Sequence, residues 1–231
     1  MSRKLPIGIL GGMGPEASNY LYKVLINLSI KCFGAKNNDD FPEIILYSVP
    51  VPDFISNYHK RGRALQMLKK RVIGLNKMNL SCLSIACNTA HLLIDKLQSI
   101  SRIKFISMID EVSLVVAQDK KKLIGIMGTP STIRSGLYQS ALSKYDIKTL
   151  VPSFKELKII ENVIRNILKG KMLKSDGVRL SFVANSLKEK GAQGIILGCT
   201  ELPLVFPFKY SLPVYNSVEI LAMSLLRKYY K

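Results

Sequence analysis

The sequence contains no tryptophan, only two histidines and only four cysteines. The cysteines, Cys32, Cys82, Cys87 and Cys199, include no CxxC pair and form no cluster with the histidines, so the pattern of a structural zinc site is missing. Four cysteines spaced in this way also do not indicate a disulfide framework. No apolar run reaches the roughly 20 residues of a membrane-spanning helix, and the first apolar stretch is too short for a signal peptide. We therefore expect a cytoplasmic protein with no membrane partner and no bound metal.

Acidic residues are scarce: 16 Asp and Glu stand against 34 Lys and Arg, which gives a formal net charge of +18. Such a charge is compatible with a basic nucleic-acid-binding module. However, the basic residues are scattered, and no RNA-binding signature or basic-aromatic stripe accompanies them. We expect a solvated basic surface with no nucleic-acid partner, whose positive field attracts small anionic substrates.

Short apolar segments alternate with amphipathic helical patterns along most of the chain. Predicted strands cover residues 5–10, 43–49, 82–86, 104–108, 123–128, 147–151, 195–198 and 212–215. Helical patterns separate most of them, including residues 89–97, 155–168, 175–190 and 218–230. This alternation predicts an α/β fold with mainly parallel sheets flanked by helices.

The second half of the chain repeats the organisation of the first half. Residues 123–128 (LIGIMG) have the pattern of residues 6–11 (PIGILG), and a cysteine-bearing strand follows at a similar distance in each half. We interpret this as a duplication at the scale of a domain. Residues 1–117 and 213–231 would form one α/β domain and residues 118–212 a similar one. Pseudo-two-fold symmetry would relate the two domains, with the active site between them.

A glycine-rich loop, Gly11-Gly12-Met13-Gly14, joins the first predicted strand to a helix that begins near Pro15. Glycines before a helix start can form an anion-binding loop. The loop matches neither GxGxxG nor GxxxxGKS/T, so a nucleotide-binding fingerprint is absent. On the residues alone, a tight turn and a ligand-binding loop remain equally open.

Two strands end in a thiol followed by polar residues: Cys87 precedes Asn88 and Thr89, and Cys199 precedes Thr200. Open α/β sheets bind ligands at the carboxyl ends of their strands, and a nearby helix start lowers the pKa of a thiol. If the two thiols face each other across a small ligand, one can remove the proton of a carbon atom while the other donates a proton from the opposite side. This pattern therefore predicts proton transfer that inverts a carbon centre.

Other interpretations of the cysteines and histidines remain. We interpret Cys32 and Cys82 as structural residues, because a free cysteine often behaves as a small apolar side chain. A nucleophilic cysteine hydrolase would need a histidine base, for which His91 is the candidate, although His91 can equally cap a helix or fill the core. His59 gives no specific signal.

Four motifs resemble those of the aspartate/glutamate racemase family. They are residues 7–15 (IGILGGMGP), 87–91 (CNTAH), 132–139 (TIRSGLYQ) and 197–202 (LGCTEL), and they span nearly the whole chain in the family's order. The GCTEL form, instead of GCT followed by histidine, resembles the aspartate racemase branch.

The resemblance implies a racemase that needs no cofactor such as pyridoxal phosphate, is built from two similar α/β domains and is usually a homodimer. It implies that Cys87 and Cys199 are the acid–base pair. The residues implied at the substrate site are Met13, Asn88, Thr89, Thr129, Thr132, Lys169, Thr200 and Glu201, with Lys171 as an alternative to Lys169 and Glu201 near the second cysteine.

The substrate implied first is aspartate, with a broad-specificity or glutamate racemase as alternatives. A cysteine-dependent isomerase or decarboxylase on the same fold is a further alternative. Some aspartate racemases carry an arginine after a Pro-Asp pair, whereas here Phe54 follows Pro52-Asp53. A bidentate arginine is the natural partner of a second carboxylate, so this difference weakens the case for aspartate.

Overall fold

Two parallel β-sheets flanked by helices form the structure, a computed structural model that describes residues 4–53 and 60–231. One unit comprises residues 4–53, 60–108 and 218–231, and the other comprises residues 109–217. The helices are α1 (Pro15–Phe33), α2 (Arg61–Leu75), α3 (Ile94–Gln98), α4 (Met108–Gln118), α5 (Pro130–Arg134), α6 (Leu137–Ser143), α7 (Phe154–Leu168), α8 (Lys174–Glu189) and α9 (Ser217–Tyr230). The predicted fold class, two mainly parallel sheets with flanking helices, is confirmed.

The first sheet has the strand order β2-β1-β3, with β1 (Ile7–Gly11) between β2 (Ile44–Ser48) and β3 (Cys82–Ile85). Every residue of β1 is buried because helices cover both faces, which is typical of a parallel sheet. Alternate side chains of β1 belong to different cores. Ile7 and Ile9 pack with residues of α1 and α9, whereas Leu10 packs with residues of α2.

The second sheet has the order β5-β4-β6-β7, and all its strand pairs are parallel. Its strands are β4 (Leu123–Gly128), β5 (Lys148–Leu150), β6 (Ile195–Gly198) and β7 (Val214–Asn216). Met127, Ile195 and Leu197 contribute to a core that α7 and α8 complete. The central pair, β4 and β6, corresponds to β1 and β3 of the first sheet.

The prediction that the last strand returns to the first domain is wrong. This strand is β7, and it pairs with β6 in the second sheet, where Val214 lies opposite Ile195. Only the following helix, α9, packs on the first sheet through residues such as Val218 and Leu221. Residues 109–117 and 213–217 therefore belong to the second unit, whereas the sequence placed them in the first.

Two smaller predictions also differ from the structure. The predicted strand at residues 104–108 is reduced to one parallel bridge between Leu83 and Phe105, because α4 already begins at Met108. The predicted helix at residues 89–97 is a 3-10 helix, Thr89–Leu93, followed by the short helix α3.

Candidate active site

The glycine loop after β1 is a tight turn packed against the end of β2. Gly12 has a φ of +84°, and a Cβ atom there would lie 2.5 Å from the backbone nitrogen of Val49. The Gly12 N–H donates to Oγ of Ser18 (2.8 Å), and that hydroxyl donates to the Gly14 carbonyl (3.2 Å). Close packing and the left-handed backbone thus account for glycine at position 12.

Replacing Gly12 with alanine is expected to lower the free energy of unfolding by about 2–5 kcal/mol, since it combines an unfavourable backbone with overpacking. Gly34→Ala is the matched control. Gly34 also has a positive φ, +73°, but a Cβ atom there meets nothing within 4 Å. Gly34→Ala is therefore expected to lower the free energy of unfolding by only about 1–2 kcal/mol. Urea unfolding of both variants checks the difference, and equal losses would show that the contact with Val49 contributes nothing.

Cys87 lies just beyond the carboxyl end of β3 and is 9% exposed. The Ala86 N–H donates to the carbonyl of Leu10 at 2.9 Å, so the segment that leads to the thiol is still paired with β1. Asn88 and Thr89 are buried at the start of the 3-10 helix. Met13 packs against the hydrophobic cluster that contains Cys87. The structure therefore gathers Met13, Cys87, Asn88 and Thr89 at the carboxyl edge of the first sheet.

His91 is fully engaged by the main chain. Its Nδ1 lies 2.8 Å from the carbonyl oxygen of Cys87, and its Nε2 accepts a hydrogen bond from the backbone N–H of Met108 at 2.9 Å. Both ring nitrogens therefore make hydrogen bonds to backbone groups. This geometry opposes the hydrolase interpretation, in which His91 is the base.

Cys199 follows β6 and is 4% exposed. Its Sγ donates a hydrogen bond to Oε2 of Glu201 at 3.0 Å, and the hydroxyl of Thr200 donates to the same oxygen at 3.0 Å. Glu201 is itself only 3% exposed. The candidate acid Cys199 is therefore in direct hydrogen-bond contact with a buried carboxyl group.

Thr129 and Thr132 lie at the carboxyl end of β4, which neighbours β6. Oγ1 of Thr129 accepts a hydrogen bond from the Thr132 backbone N–H at 3.0 Å and caps the N-terminus of α5. The Thr129 hydroxyl donates to Oγ1 of Thr132, also at 3.0 Å. Both residues are buried. The strand pairing of Gly128 with Gly198 places these threonines at the same sheet edge as Cys199.

Lys169 and Lys171 are exposed in the turn between α7 and α8. The two helices are antiparallel, since Lys190 pairs with Glu156 at one end (3.7 Å) and Asn166 donates to Asp176 at the other (3.3 Å). The turn lies at the end where Gly177 packs closely against the carbonyl of Val205, in the segment that follows Cys199. The predicted lysines are therefore on the carboxyl side of the second sheet, with their side chains in solvent.

Sequence reasoning gave no role to Tyr138, which is fully buried behind Cys199. A Cβ atom at Gly198 would lie 2.8 Å from Cε2 of Tyr138, so the ring packs directly against the residue before the thiol. The Tyr138 hydroxyl is hydrogen-bonded to Ser217, whose own hydroxyl donates to the Leu197 carbonyl at 2.8 Å. Burial raises the pKa of Tyr138 well above its ordinary value, and the nearby Cys199 raises it further, so Tyr138 stays protonated.

The remaining cysteines lie away from these groups of polar residues. Cys32 is exposed on α1, and burial raises the pKa of the Cys82 thiol, which makes it a poor nucleophile.

His59 and Phe54 lie outside the described residues. Within residues 4–53 and 60–231, no three His, Cys, Asp or Glu side chains are placed to bind one metal ion. None of the helices described is both long and apolar enough to cross a membrane.

Comparison with known proteins agrees with the fold and the motifs. The family model for Asp/Glu/hydantoin racemases matches residues 10–225. The broad specificity amino-acid racemase of Bacillus subtilis is 25% identical over 224 residues, which cover 96% of this chain and 97% of the relative. The structure of the Picrophilus torridus aspartate racemase is 27% identical, with a TM-score of 0.84, over 96% of this chain and 93% of that one.

An aspartate racemase homologue from Pyrococcus horikoshii OT3 is equally similar. It is 27% identical, with a TM-score of 0.82, over 98% of this chain and 99% of that one. The family model and these relatives cover nearly the whole chain, which confirms the resemblance seen in the four motifs. The chain therefore belongs to the Asp/Glu/hydantoin racemase family and is an isomerase.

Proposed function

We propose that the protein is a cofactor-independent amino-acid racemase in which Cys87 and Cys199 are the acid–base pair. One observation carries the proposal: equivalent strands of the two sheets, β3 and β6, each end in a buried cysteine followed by polar residues. A racemase needs one proton acceptor and one proton donor on opposite sides of the substrate's α-carbon, and two cysteines can supply both.

In the proposed reaction, the thiolate of one cysteine removes the α-proton, and the thiol of the other donates a proton to the opposite face. The carbon centre is inverted, and the two cysteines exchange protonation states. After the product leaves, proton exchange with solvent restores them for the next turnover. The carbanionic charge that develops between these steps is stabilised by hydrogen-bond donors around the substrate carboxylate.

We propose that Glu201 accepts the proton of the Cys199 thiol, in addition to its predicted place at the substrate site. A thiolate directly beside an ionised carboxylate is unfavourable, because like charges disfavour each other's ionised forms. In the proposed role, the proton of the Cys199 thiol moves to Oε2 of Glu201 when Cys199 acts as the base. The contact of 3.0 Å between Sγ and Oε2 supports this direct transfer.

The substrate carboxylate has candidate donors at both sheet edges. Asn88 and Thr89 contribute amide and hydroxyl groups beside Cys87, and Thr129, Thr132 and Thr200 contribute hydroxyl groups beside Cys199. Lys169, or Lys171 in the same turn, is the proposed partner of a negatively charged side chain. The net charge of +18 favours the approach of such anions.

Aspartate is the first candidate substrate, and a broad-specificity or glutamate racemase is the alternative. Proton NMR in D2O tests the proposal with purified protein, no added pyridoxal phosphate and a panel of L-amino acids. Loss of the α-proton signal together with appearance of the D-enantiomer is expected for the true substrate. If no amino acid in the panel exchanges, the racemase proposal fails, and a different isomerisation or a decarboxylation at the same cysteines takes its place.

We further propose that the protein is a cytoplasmic homodimer, as the family resemblance implies. Val178 and Phe182, one turn apart on α8, are 71% and 61% exposed and offer an apolar surface to a second copy. Light scattering is expected to give twice the chain mass of 25.8 kDa. A monomer at micromolar concentration would contradict this.

A further inference from the structure

His91 is a buried histidine, 3% exposed, whose ring joins two parts of the main chain. It lies four residues after Cys87, in the CNTAH segment, and its two nitrogens contact the Cys87 carbonyl and the Met108 N–H at 2.8 and 2.9 Å. Neither contact involves another side chain. Both contacts are therefore to backbone groups, which do not titrate.

These contacts determine which nitrogen carries the proton. A backbone N–H can only donate, so Nε2 must present its lone pair to Met108. A carbonyl oxygen can only accept, so Nδ1 must carry the hydrogen that is directed at Cys87. Only the neutral ring with its proton on Nδ1 satisfies both contacts, since the imidazolium and the other tautomer each lose at least one.

We propose that His91 is a positioning residue that fixes the main chain of Cys87. A backbone hydrogen bond already fixes the chain before the cysteine, where the Ala86 N–H donates to the Leu10 carbonyl at 2.9 Å. The bond from His91 holds it after the cysteine, at the Cys87 carbonyl. The backbone that carries the thiol is thus bonded on both sides.

Met108 supplies the fixed end of this connection. It is the first residue of α4, and the first N–H groups of a helix have no acceptor within the helix. The Nε2 lone pair satisfies one of them. One imidazole therefore both caps α4 and orients Cys87, which explains a buried histidine that takes no part in proton transfer.

The catalytic consequence rests on the proposed racemase function. A displacement of about 1 Å at a reacting group can cost about 100-fold in rate. His91→Ala is expected to lower kcat by about 10- to 100-fold with KM changed by less than about threefold. His91→Gln is expected to recover most of kcat. The amide NH2 group of glutamine can donate to the Cys87 carbonyl, and its oxygen can accept from the Met108 N–H.

The first experiment does not depend on any reaction. Nitrogen-15 NMR of protein labelled at histidine reports the protonation of each ring nitrogen, and His91→Gln assigns the His91 signals among the two histidines of the chain. A neutral ring protonated at Nδ1 is expected. A ring protonated at Nε2, or an imidazolium at neutral pH, would overturn the proposal.

The second experiment separates positioning from general stability. Iodoacetamide alkylation followed by peptide mass spectrometry gives the rates at Cys87 and Cys199 in the same sample. In His91→Ala, the Cys87 rate is expected to change by about fivefold or more while the Cys199 rate stays constant, with the wild-type ratio recovered in His91→Gln. Parallel changes at both thiols, or none at Cys87, would contradict the proposal even if the protein racemises no amino acid.

Discussion

Replacing Cys87 or Cys199 with serine is expected to lower the rate of racemisation by about 10²- to 10⁴-fold, the usual contribution of a general acid or base. Serine is close to cysteine in size, so the buried strand ends should keep their packing. Its hydroxyl is a far weaker acid than a thiol and is not ionised near neutral pH. Polarimetry or chiral chromatography with the true substrate measures the loss.

The two variants should differ in hydrogen exchange. Each retains one cysteine, which can still remove the α-proton of the enantiomer that faces it and return a solvent deuteron to the same side. Cys87→Ser is therefore expected to exchange the α-proton of one enantiomer in D2O without inversion, and Cys199→Ser that of the other. Because exchange does not require the missing partner, it should survive better than racemisation.

Cys32→Ser is the control for this pair of variants. It makes the same chemical change at an exposed position on α1 and is expected to leave the rate within about twofold of the wild type, as surface substitutions usually do. Wild-type racemisation by either Cys87→Ser or Cys199→Ser would rule out the two-base assignment. If both variants exchanged the α-proton of the same enantiomer, the two cysteines could not act on opposite faces of the α-carbon.

The features that were predictable from the sequence are those that depend on local pattern. Continuous apolar runs identify β1, β4 and β6, and polar residues after Ile85 and Gly198 mark the strand ends. A buried parallel strand needs apolar residues on both faces, and it must end where polar groups begin. Local pattern therefore sufficed for the fold class and for the grouping of Cys87 with Asn88 and Thr89.

The features that were missed depend on partners far along the chain. The residues of β7 are equally compatible with either sheet as an edge strand, and the pairing with Ile195 decides between them. His91 acquires its second hydrogen bond from Met108, 17 residues later, and Tyr138 meets Ser217 only in the folded chain. No periodicity in the sequence encodes such contacts, because they follow from how the helices pack on the sheets.

Replacing Glu201 with glutamine is expected to lower kcat by about 10²-fold. The glutamine side chain is nearly isosteric, and its carbonyl oxygen can still accept hydrogen bonds from Cys199 and Thr200. It cannot take up a proton, however, so Cys199 would have to lose its proton to solvent before acting as the base. Steady-state kinetics with both enantiomers measures the effect, and the lost rate should be partly recovered at higher pH, where solvent removes the thiol proton.

Glu156→Gln is the matched control, because Glu156 is also a buried glutamate with a hydrogen-bonding role. Its Oε2 accepts the Ser153 backbone N–H at 2.6 Å at the start of α7. Glutamine can keep this hydrogen bond but loses the charge that pairs with Lys190 at 3.7 Å, so the free energy of unfolding is expected to fall by at most about 1 kcal/mol, with kcat within about twofold of the wild type. If Glu201→Gln behaved in the same way, with lower stability and normal turnover, Glu201 would be only a structural partner of Cys199. The proton would then have to leave the thiol by another route.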